Sequence, residues 1–416
     1  MSAGRLLDRC DLLASISATE GAICRTYLTE EHRRCNQQVM QWMQEAGMEA
    51  HTDAAGNCWG HYPGSDANGQ TLLLGSHLDT VPGAGRYDGI LGVLAAIEVV
   101  ARFHQRGRRF PFHIDVVGFA DEEGSRFGAT LLGSRAVAGT WDPALLALCD
   151  ADGVSMAEAF TSFGLDPEKV DDASRAGEPL LGYWELHIEQ GPVLEERDLP
   201  LGVVTAIAGA RRLQFTLHGS AGHAGTVPMS MRRDALLAAA GAVQLVDTVA
   251  RRCDVVATVG KIAAWPGSVN VIPGRCEFTL DIRSGDDRAR DRALAEIVRG
   301  IEAHCDQMQI TVEHREIHRA PAVACSPRLR EAGSRALKRC GLQDFSLPSG
   351  AGHDAMAITA ATDIGMLFLR CAGGVSHHPD ESVEVEDVAL ALDVLEAAVE
   401  ETLGEIEIGK ATDAVV

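Results

Sequence analysis

Leu72-Leu73-Leu74-Gly75-Ser76-His77-Leu78-Asp79-Thr80 sets the architecture of this chain, because its three leucines predict a buried strand that ends in polar residues. Gly89–Val100 follows as a predicted helix. His77, Asp79 and Asp88 therefore fall where a strand ends and a helix starts, which is where α/β proteins place their sites. They predict half of a two-metal site, in which His77 binds an ion and Asp79 accepts the other ring N–H. A hydrogen-bonded polar corner is the alternative interpretation.

A second acidic motif, Asp121-Glu122-Glu123-Gly124, follows the predicted strand His113–Phe119. Side chains alternate along an extended chain, so Glu122 and Glu123 point in different directions unless the backbone turns. Two adjacent carboxylates can then take different tasks, one as a metal ligand and one as the general base for the attacking water. A solvated acidic loop is the alternative interpretation.

Two further predicted strands carry histidines. His187 lies inside the apolar run of Tyr183–Ile188, and Gly365–Arg370 runs into a loop that contains His377 and His378. A lone buried imidazole is more often a hydrogen-bonded core residue than a ligand, and either C-terminal histidine completes a site equally well on spacing. Together with the carboxylates, these histidines supply ligands for a pair of borderline ions such as Zn or Mn, with Asp88 free to bridge them.

These motifs resemble those of the M20-type co-catalytic metallohydrolases, and within them the allantoate amidohydrolase, N-carbamoyl-L-amino acid hydrolase and β-ureidopropionase branch. The resemblance runs through nearly the whole chain. It implies two divalent ions, Zn or Mn with Co or Ni as further candidates, and a set of metal ligands: His77, Asp88, Glu123, His187 and His377. It also implies Glu122 as the general base, with Asp79 beside it and His378 as the less favoured last ligand. Peptidases of the superfamily usually carry Asp at the position of His187, which argues against an exopeptidase.

Composition agrees with a hydrolase of small molecules. The chain has 416 residues, of which 46% are hydrophobic, enough for two or more domains with sizeable cores. Its net charge of −22 disfavours nucleic acid and acidic membrane surfaces as partners. Eleven scattered cysteines without a Cys-x-x-Cys pair are typical of a reducing cytoplasm. We see neither a signal peptide nor a membrane-spanning segment, and expect a cytoplasmic protein.

The pattern of predicted elements changes near Gly209. Upstream, apolar strands alternate with helices, as in a mainly parallel sheet covered on both faces. Downstream comes a βαββαβ order, typical of a ferredoxin-like domain, with these predicted elements: strand Leu213–His218, helix Arg232–Arg252, strands Asp254–Ile262 and Cys276–Ile282, helix Asp287–Gln307 and strand Ile310–Ile317. We therefore predict an α/β catalytic metal domain at residues 1–209 and 325–416, with an inserted dimerisation or lid domain at residues 210–324.

The inserted segment carries further candidate residues. His223 lies in a glycine-rich loop, which favours a ligand or oxyanion role, whereas Asn270 also fits a turn and Arg283 also fits a surface salt bridge. The resemblance implies that these three residues grip the carbonyl oxygen and carboxylate of the substrate. Arg212 matches an arginine of allantoate amidohydrolases, and the resemblance adds two substrate contacts: Gln190 and Gly352.

The resemblance implies a metal-dependent amidohydrolase that cleaves the ureido C–N bond of a small carboxylate and forms a homodimer through the inserted domain. Allantoate is the favoured substrate, converted to ureidoglycine, ammonia and CO2 for nitrogen utilisation. N-carbamoyl-L-amino acids and a β-ureidopropionase activity are the alternatives. A metal-free or inactive binding protein on the same scaffold is more distant, because such a protein is expected to lose Glu122 or a ligand and this chain keeps them all. An aminoacylase or dipeptidase is also more distant, because His187 and the paired Arg212 and Arg283 argue against it.

Overall fold

The computed structural model describes residues 3–413, with side chains from residue 3 to residue 402. The chain forms two compact units. Unit 1 comprises Met1–Thr205, Cys325–Leu347 and Gly352–Val416, and unit 2 comprises Ala206–Ala324 and Pro348–Ala351.

The strands and helices follow one another along the described residues. The strands are β1 (Glu49–Thr52), β2 (Cys58–Tyr62), β3 (Thr71–His77), β4 (His113–Phe119), β5 (Leu180–Ile188), β6 (Leu201–Ile207), β7 (Gly209–His218), β8 (Gly222–His223), β9 (Val256–Thr258), β10 (Ile262–Trp265), β11 (Val271–Ile272), β12 (Arg275–Ser284), β13 (Thr311–Ala320), β14 (Val323–Ala324), β15 (Ser346–Ser349) and β16 (Ile364–Leu369).

The α-helices are α1 (Ala3–Ala14), α2 (Glu30–Glu45), α3 (Ile90–Gln105), α4 (Leu132–Val137), α5 (Met156–Phe163), α6 (Val193–Glu196), α7 (Ala235–Cys253), α8 (Asp287–Gln307), α9 (Pro327–Arg339), α10 (Ala355–Ile358) and α11 (Val385–Asp413). Short 3-10 helices span Pro143–Ala147, Pro167–Ala173, Met229–Met231 and Ala372–Gly374.

Unit 1 is built on a largely parallel sheet, as the sequence predicts. Its strand order is β1-β2-β4-β3-β5-β16-β6. The four central strands β4, β3, β5 and β16 are mutually parallel, and the flanking strands β2 and β6 run antiparallel to their neighbours. Since parallel strands end at the same edge of a sheet, His77, Phe119, Ile188 and Leu369 bring the loops that follow them to one edge.

The continuous apolar run in β3 reflects burial on both faces of that sheet. Leu72, Leu73 and Leu74 have no exposed surface, and helix α3 is buried along almost its whole length. Helices α1, α3, α9 and α11 contribute to the same hydrophobic core as the strands, with Trp184 among its largest members. A site at the end of β3 therefore rests on a closely packed support.

Unit 2 is an antiparallel sheet with two long helices. Its strand order is β10-β12-β7-β13, and β9 also pairs with β12. Alternate residues of β12, from Cys276 to Ile282, belong to one core with α7 and α8. The other alternate residues, which include Thr279, Asp281 and Arg283, consequently lie on the opposite face of the sheet.

Two predicted element boundaries in unit 2 are wrong. The single predicted strand Asp254–Ile262 is two strands, β9 and β10, separated by a break that contains Gly260. The predicted helix Arg232–Arg252 begins only at Ala235, because the Asp234 side chain accepts hydrogen bonds from the first-turn N–H groups and caps the helix there.

All eleven cysteines are free thiols. Along residues 3–413, no helix combines the length and the apolar character that crossing a bilayer requires.

Candidate active site

His77 is the last residue of β3, and its ring is held between two acidic neighbours. Its Nε2 atom lies 3.3 Å from Asp88 Oδ1. Gly89 follows Asp88 with a φ of +71°, and a Cβ atom there would lie 2.5 Å from the His77 ring. Only glycine fits this close approach and this backbone conformation together, so Gly89 permits the contact between His77 and Asp88.

Asp79 contacts both the His77 ring and the backbone of the glutamate pair. The Nδ1 atom of His77 lies nearer the main-chain carbonyl of Asp79, at 3.1 Å, than its carboxylate, at 3.4 Å. The carboxylate also accepts the backbone N–H groups of Glu122, at 2.9 Å, and Glu123, at 3.1 Å. The backbone turn that these bonds stabilise lets two consecutive glutamates serve the same site.

Asp88 lies at the centre of the cluster. Its Oδ1 atom is 3.0 Å from His187 Nε2, and its Oδ2 atom is 3.1 Å from His377 Nε2. The Nδ1 atom of His187 pairs with the carbonyl of Ile188 at 2.8 Å. A ring that donates through Nδ1 presents a lone pair on Nε2, the form in which histidine binds metal.

The two C-terminal histidines face different neighbours. The Nε2 atom of His377 lies 3.2 Å from Glu123 Oε1 as well as close to Asp88. His377 has a φ of +55°, an uncommon conformation for a non-glycine residue, which the surrounding contacts must hold. His378 lies close to Asp380 instead, with Nδ1 at 3.5 Å from that carboxylate.

The cluster offers donor atoms that fit divalent ions. Three groups of ligand atoms lie within 4.8 Å of one another: His77 with Asp88 and His187, Asp88 with Glu123 and His377, and His77 with Glu122 and Glu123. Imidazole nitrogens and carboxylate oxygens are the ligands that Zn and Mn take in proteins. Asp88 belongs to two of these groups, and the two groups have no other residue in common.

Charges within the cluster shift its pKa values in opposite directions. Asp88 and Glu123 raise the pKa of His377 to about 10. Burial opposes ionisation of Asp88, but hydrogen bonds from His187, His377 and His77 still hold the pKa of its carboxyl well below its usual range. Desolvation raises the pKa of the Glu122 carboxyl well above its usual range, with Glu123 adding to the effect. A carboxyl with a raised pKa is suited to take up a proton and release it again.

Gln190, predicted to contact substrate, is bonded to the central carboxylate through its amide nitrogen. Its Nε2 donates to Asp88 Oδ2 at 2.8 Å and lies 3.2 Å from Ser376 Oγ. The Ser376 hydroxyl contacts the same Asp88 oxygen at 2.8 Å. The Oε1 atom of Gln190 is buried without a hydrogen-bond partner in the described part of the chain, so it is available to a donor group on a ligand.

Sequence reasoning missed Glu381, a carboxylate that joins two loops of the site. It is 1% exposed, and its Oε1 atom accepts the backbone N–H groups of Tyr87 and Asp88. Its Oε2 atom lies 3.0 Å from Ser376 Oγ. The only signal in the sequence is a glutamate four positions after His377, which by itself resembles a solvated loop residue.

Gly352 lies beside the predicted general base. A Cβ atom at this position would lie 3.4 Å from Glu122 Oε1. The next residue, His353, packs edge-to-face on His187 with ring centroids 4.6 Å apart. Glu185, also missed, supports this loop by accepting from Ala355 N at 3.2 Å and from Ser76 Oγ at 2.8 Å.

Unit 2 brings its predicted residues together in two pairs. His223 and Val271 are partners in the β8–β11 ladder, and Ala224 N donates to Asn270 O at 2.9 Å, so His223 and Asn270 lie side by side with exposed side chains. Arg212 and Arg283 both donate to the carboxylate of Asp281. No motif in the sequence singles out Asp281.

Comparisons with known proteins identify the family of this chain. The profile of Peptidase family M20/M25/M40 matches residues 73–401. The chain is 43% identical to an N-carbamoyl-L-amino acid amidohydrolase of Geobacillus stearothermophilus, over 90% of this chain and 92% of that protein. It is 39% identical to allantoate deiminase 2 of Glycine max, over 90% of this chain and 84% of that protein.

A solved structure shows the same relationship in three dimensions. A hydantoinase/carbamoylase family amidase from Burkholderia multivorans superposes with a TM-score of 0.91 and 34% identity, covering 97% of this chain and 98% of that chain. The residues around Asp88 fall within the matched segment. The chain therefore belongs to the M20/M25/M40 peptidase family, on its hydantoinase/carbamoylase side.

Proposed function

We propose that this protein is a two-metal amidohydrolase that cleaves the ureido C–N bond of a small carboxylate, and that allantoate is its favoured substrate. The observation that carries the proposal is the central position of Asp88. Its Oδ1 atom lies close to His187, and its Oδ2 atom lies close to His377. The proposed ligands are His77, Asp88, Glu123, His187 and His377, and the proposed ions are Zn or Mn.

Bound divalent ions supply Lewis acidity, which lowers the pKa of water and polarises a carbonyl group. Glu122 takes the proton of the attacking water and delivers it to the leaving nitrogen, a transfer that the raised pKa of its carboxyl favours. Asp79 holds Glu122 in place through the backbone N–H that its carboxylate accepts.

Residues of unit 2 are proposed to hold the substrate. His223 and Asn270 contact the carbonyl oxygen as negative charge develops on it. Arg283 binds the carboxylate with two parallel N–H groups, the arrangement that guanidinium groups favour. Arg212 contacts a polar group that allantoate has and simple carbamoyl amino acids lack.

N-carbamoyl-L-amino acids are the second candidate substrates, because the relative that is 43% identical carries that activity in its name. The test is ammonia release from allantoate compared with N-carbamoyl-L-amino acids after reconstitution with Mn or Zn. We expect allantoate to give the higher kcat/KM. A higher kcat/KM for a carbamoyl amino acid would reverse the assignment, and no ammonia from either would refute the proposed reaction.

An Arg212→Ala variant provides the matched comparison. We expect it to lose allantoate turnover while N-carbamoyl amino acid hydrolysis survives with a raised KM, since only allantoate makes the direct contact that is lost. Equal loss on both substrates would remove Arg212 as the residue that discriminates between them.

We also propose a homodimer formed through unit 2. Met229 and Met231 are each 72% exposed and Val269 is fully exposed, and all three lie in the segments that flank His223 and Asn270. Large exposed apolar side chains that cluster in this way are typical of an interface. In a two-fold dimer, His223 of one protomer would serve the site of its partner.

Mixing two inactive proteins tests the dimer. A His223→Ala protein and a Glu122→Gln protein form heterodimers in which one site keeps both residues, so up to about half of one dimer's activity returns. If subunit exchange is demonstrated and activity does not return, His223 serves the site of its own chain.

A further inference from the structure

The guanidinium group of Arg283 is oriented by two fixed acceptors. Its Nε and Nη2 atoms donate to the two carboxylate oxygens of Asp281, at 2.8 and 3.1 Å, and its Nη1 atom donates to the Gly350 carbonyl at 2.8 Å. An arginine has five N–H groups, so these contacts leave one on Nη1 and one on Nη2. The two remaining groups lie at the end of the fork, where a second carboxylate can bind to both.

Asp281 also holds Arg212. The two residues are direct partners across the β7–β12 ladder, and Arg212 Nε donates to Asp281 Oδ2 at 2.7 Å. Within the described part of the chain, this is the hydrogen bond that the Arg212 side chain makes, which leaves its two terminal amino groups as donors. One carboxylate therefore positions two arginines of neighbouring strands.

These residues line a cleft of about 540 Å³ on the face of the sheet opposite α7 and α8. Its described lining contains three charged side chains, Arg212, Asp281 and Arg283, together with Thr258, Thr279 and other uncharged residues. His318 lies beside Arg212 on β13, and burial and Arg212 lower the pKa of its imidazole. Two arginines and one carboxylate give the cleft a net charge of about +1.

We propose that Asp281 is a positioning residue that orients Arg283 and Arg212 and sets the charge of this cleft, so that the enzyme selects ureido acids with one carboxylate over those with two. A single carboxylate neutralises the cleft, whereas a second one adds an uncompensated negative charge in a protein that already carries −22. This inference rests on the proposed function, because it takes the cleft as the carboxylate subsite of the hydrolase.

The test compares N-carbamoyl-L-alanine, which has one carboxylate, with N-carbamoyl-L-aspartate, which has two. KM and kcat for both are measured on the metal-loaded wild-type protein and on three variants: Asp281→Asn, Asp281→Glu and Glu277→Gln. The asparagine variant keeps the size of the side chain but removes its charge. The glutamate variant keeps the charge and moves it. Glu277 lies on the same face of β12, where it pairs with Arg275, and serves as the control.

The wild-type enzyme is expected to prefer the monocarboxylate by at least about tenfold in kcat/KM, since one unpaired charge near the cleft has roughly that effect. Asp281→Asn should raise KM for the monocarboxylate about tenfold and shift the preference about tenfold toward the dicarboxylate. Asp281→Glu should raise KM for both substrates without changing the preference, and Glu277→Gln should change neither. A residue with only a structural role would lower both activities in parallel.

Two outcomes would overturn the proposal, and they are distinguishable. If the enzyme turns over both substrates but Asp281→Asn leaves the preference within twofold of wild type, Asp281 does not set substrate charge and the proposed reaction stands. If the wild-type protein releases no ammonia from allantoate or from either carbamoyl amino acid, the proposed function itself fails.

Discussion

Replacing Glu381 tests whether this buried carboxylate supports the site through its hydrogen bonds or through its negative charge. Its Oε1 atom accepts Tyr87 N at 2.8 Å and Asp88 N at 3.2 Å, and its Oε2 atom lies 3.0 Å from Ser376 Oγ. In Glu381→Gln, the amide oxygen still accepts both N–H groups and the new NH2 donates to Ser376. The serine hydrogen then remains available to Asp88, so every hydrogen bond is kept.

Glu381→Ala removes all three contacts from a side chain that is 1% exposed. The Ser376 hydroxyl keeps Asp88 as its acceptor, so two N–H donors, those of Tyr87 and Asp88, are left without a partner. Each costs about 1–3 kcal/mol, and the low end for the two is roughly 2 kcal/mol. The loss also frees the backbone of Asp88, the central carboxylate. Loss of groups that hold metal ligands typically lowers metal affinity by about 10–100-fold. We expect that loss for the alanine variant and a change below about threefold for the glutamine variant.

The assay is competition for Mn or Zn between each purified variant and a chelating dye, together with urea unfolding of the metal-free protein. An alanine substitution of the exposed Glu384 is the control for loss of a negative charge near the site. Equal loss of affinity in the glutamine and alanine variants would show that charge, rather than hydrogen bonding, is the contribution of Glu381. Unchanged affinity in the alanine variant would refute its positioning role altogether.

Two further substitutions test the site directly. Glu122→Gln should lower kcat by a factor of roughly 10²–10⁴ with unchanged metal content, because it removes the proton acceptor but keeps the size of the side chain. Metal loss measured by elemental analysis would mean that Glu122 is a ligand. Gly89→Ala should weaken metal binding, because its Cβ atom would lie 2.5 Å from the His77 ring. Gly83→Ala is the control: it has a similar φ of +74° but open space around it, so it should change stability alone. Equal metal affinity in the two alanine variants would show that the contact with His77 does not matter.

Several parts of the site are recognisable in the sequence because each is local. The apolar run before His77, the glutamate pair after β4 and the histidine in β5 are short patterns whose residue types limit the chemistry available. The parallel order of these strands also follows from alternating apolar runs and helices. Their common edge is then a consequence of strand direction, which explains why candidate ligands named from separate motifs lie together.

Other contacts depend on chain segments that are far apart in sequence. Glu381 bonds to the backbone of Asp88 across 293 positions, and Gln190 reaches the same carboxylate across 102. No local pattern distinguishes such residues from solvated loop residues. Their roles arise only when packing removes water and leaves one partner for each polar group.

The sequence by itself determined the class of fold, the residue types of the candidate metal site and the proposed chemistry, because these depend on periodicity and on the donor atoms that each side chain carries. The tertiary structure decided how those atoms are shared: Asp79 bonds to the glutamate backbone, Gln190 to Asp88, and Asp281 to two arginines at once. A carboxylate has two oxygens and several possible partners, and only the distances within the folded chain select among them.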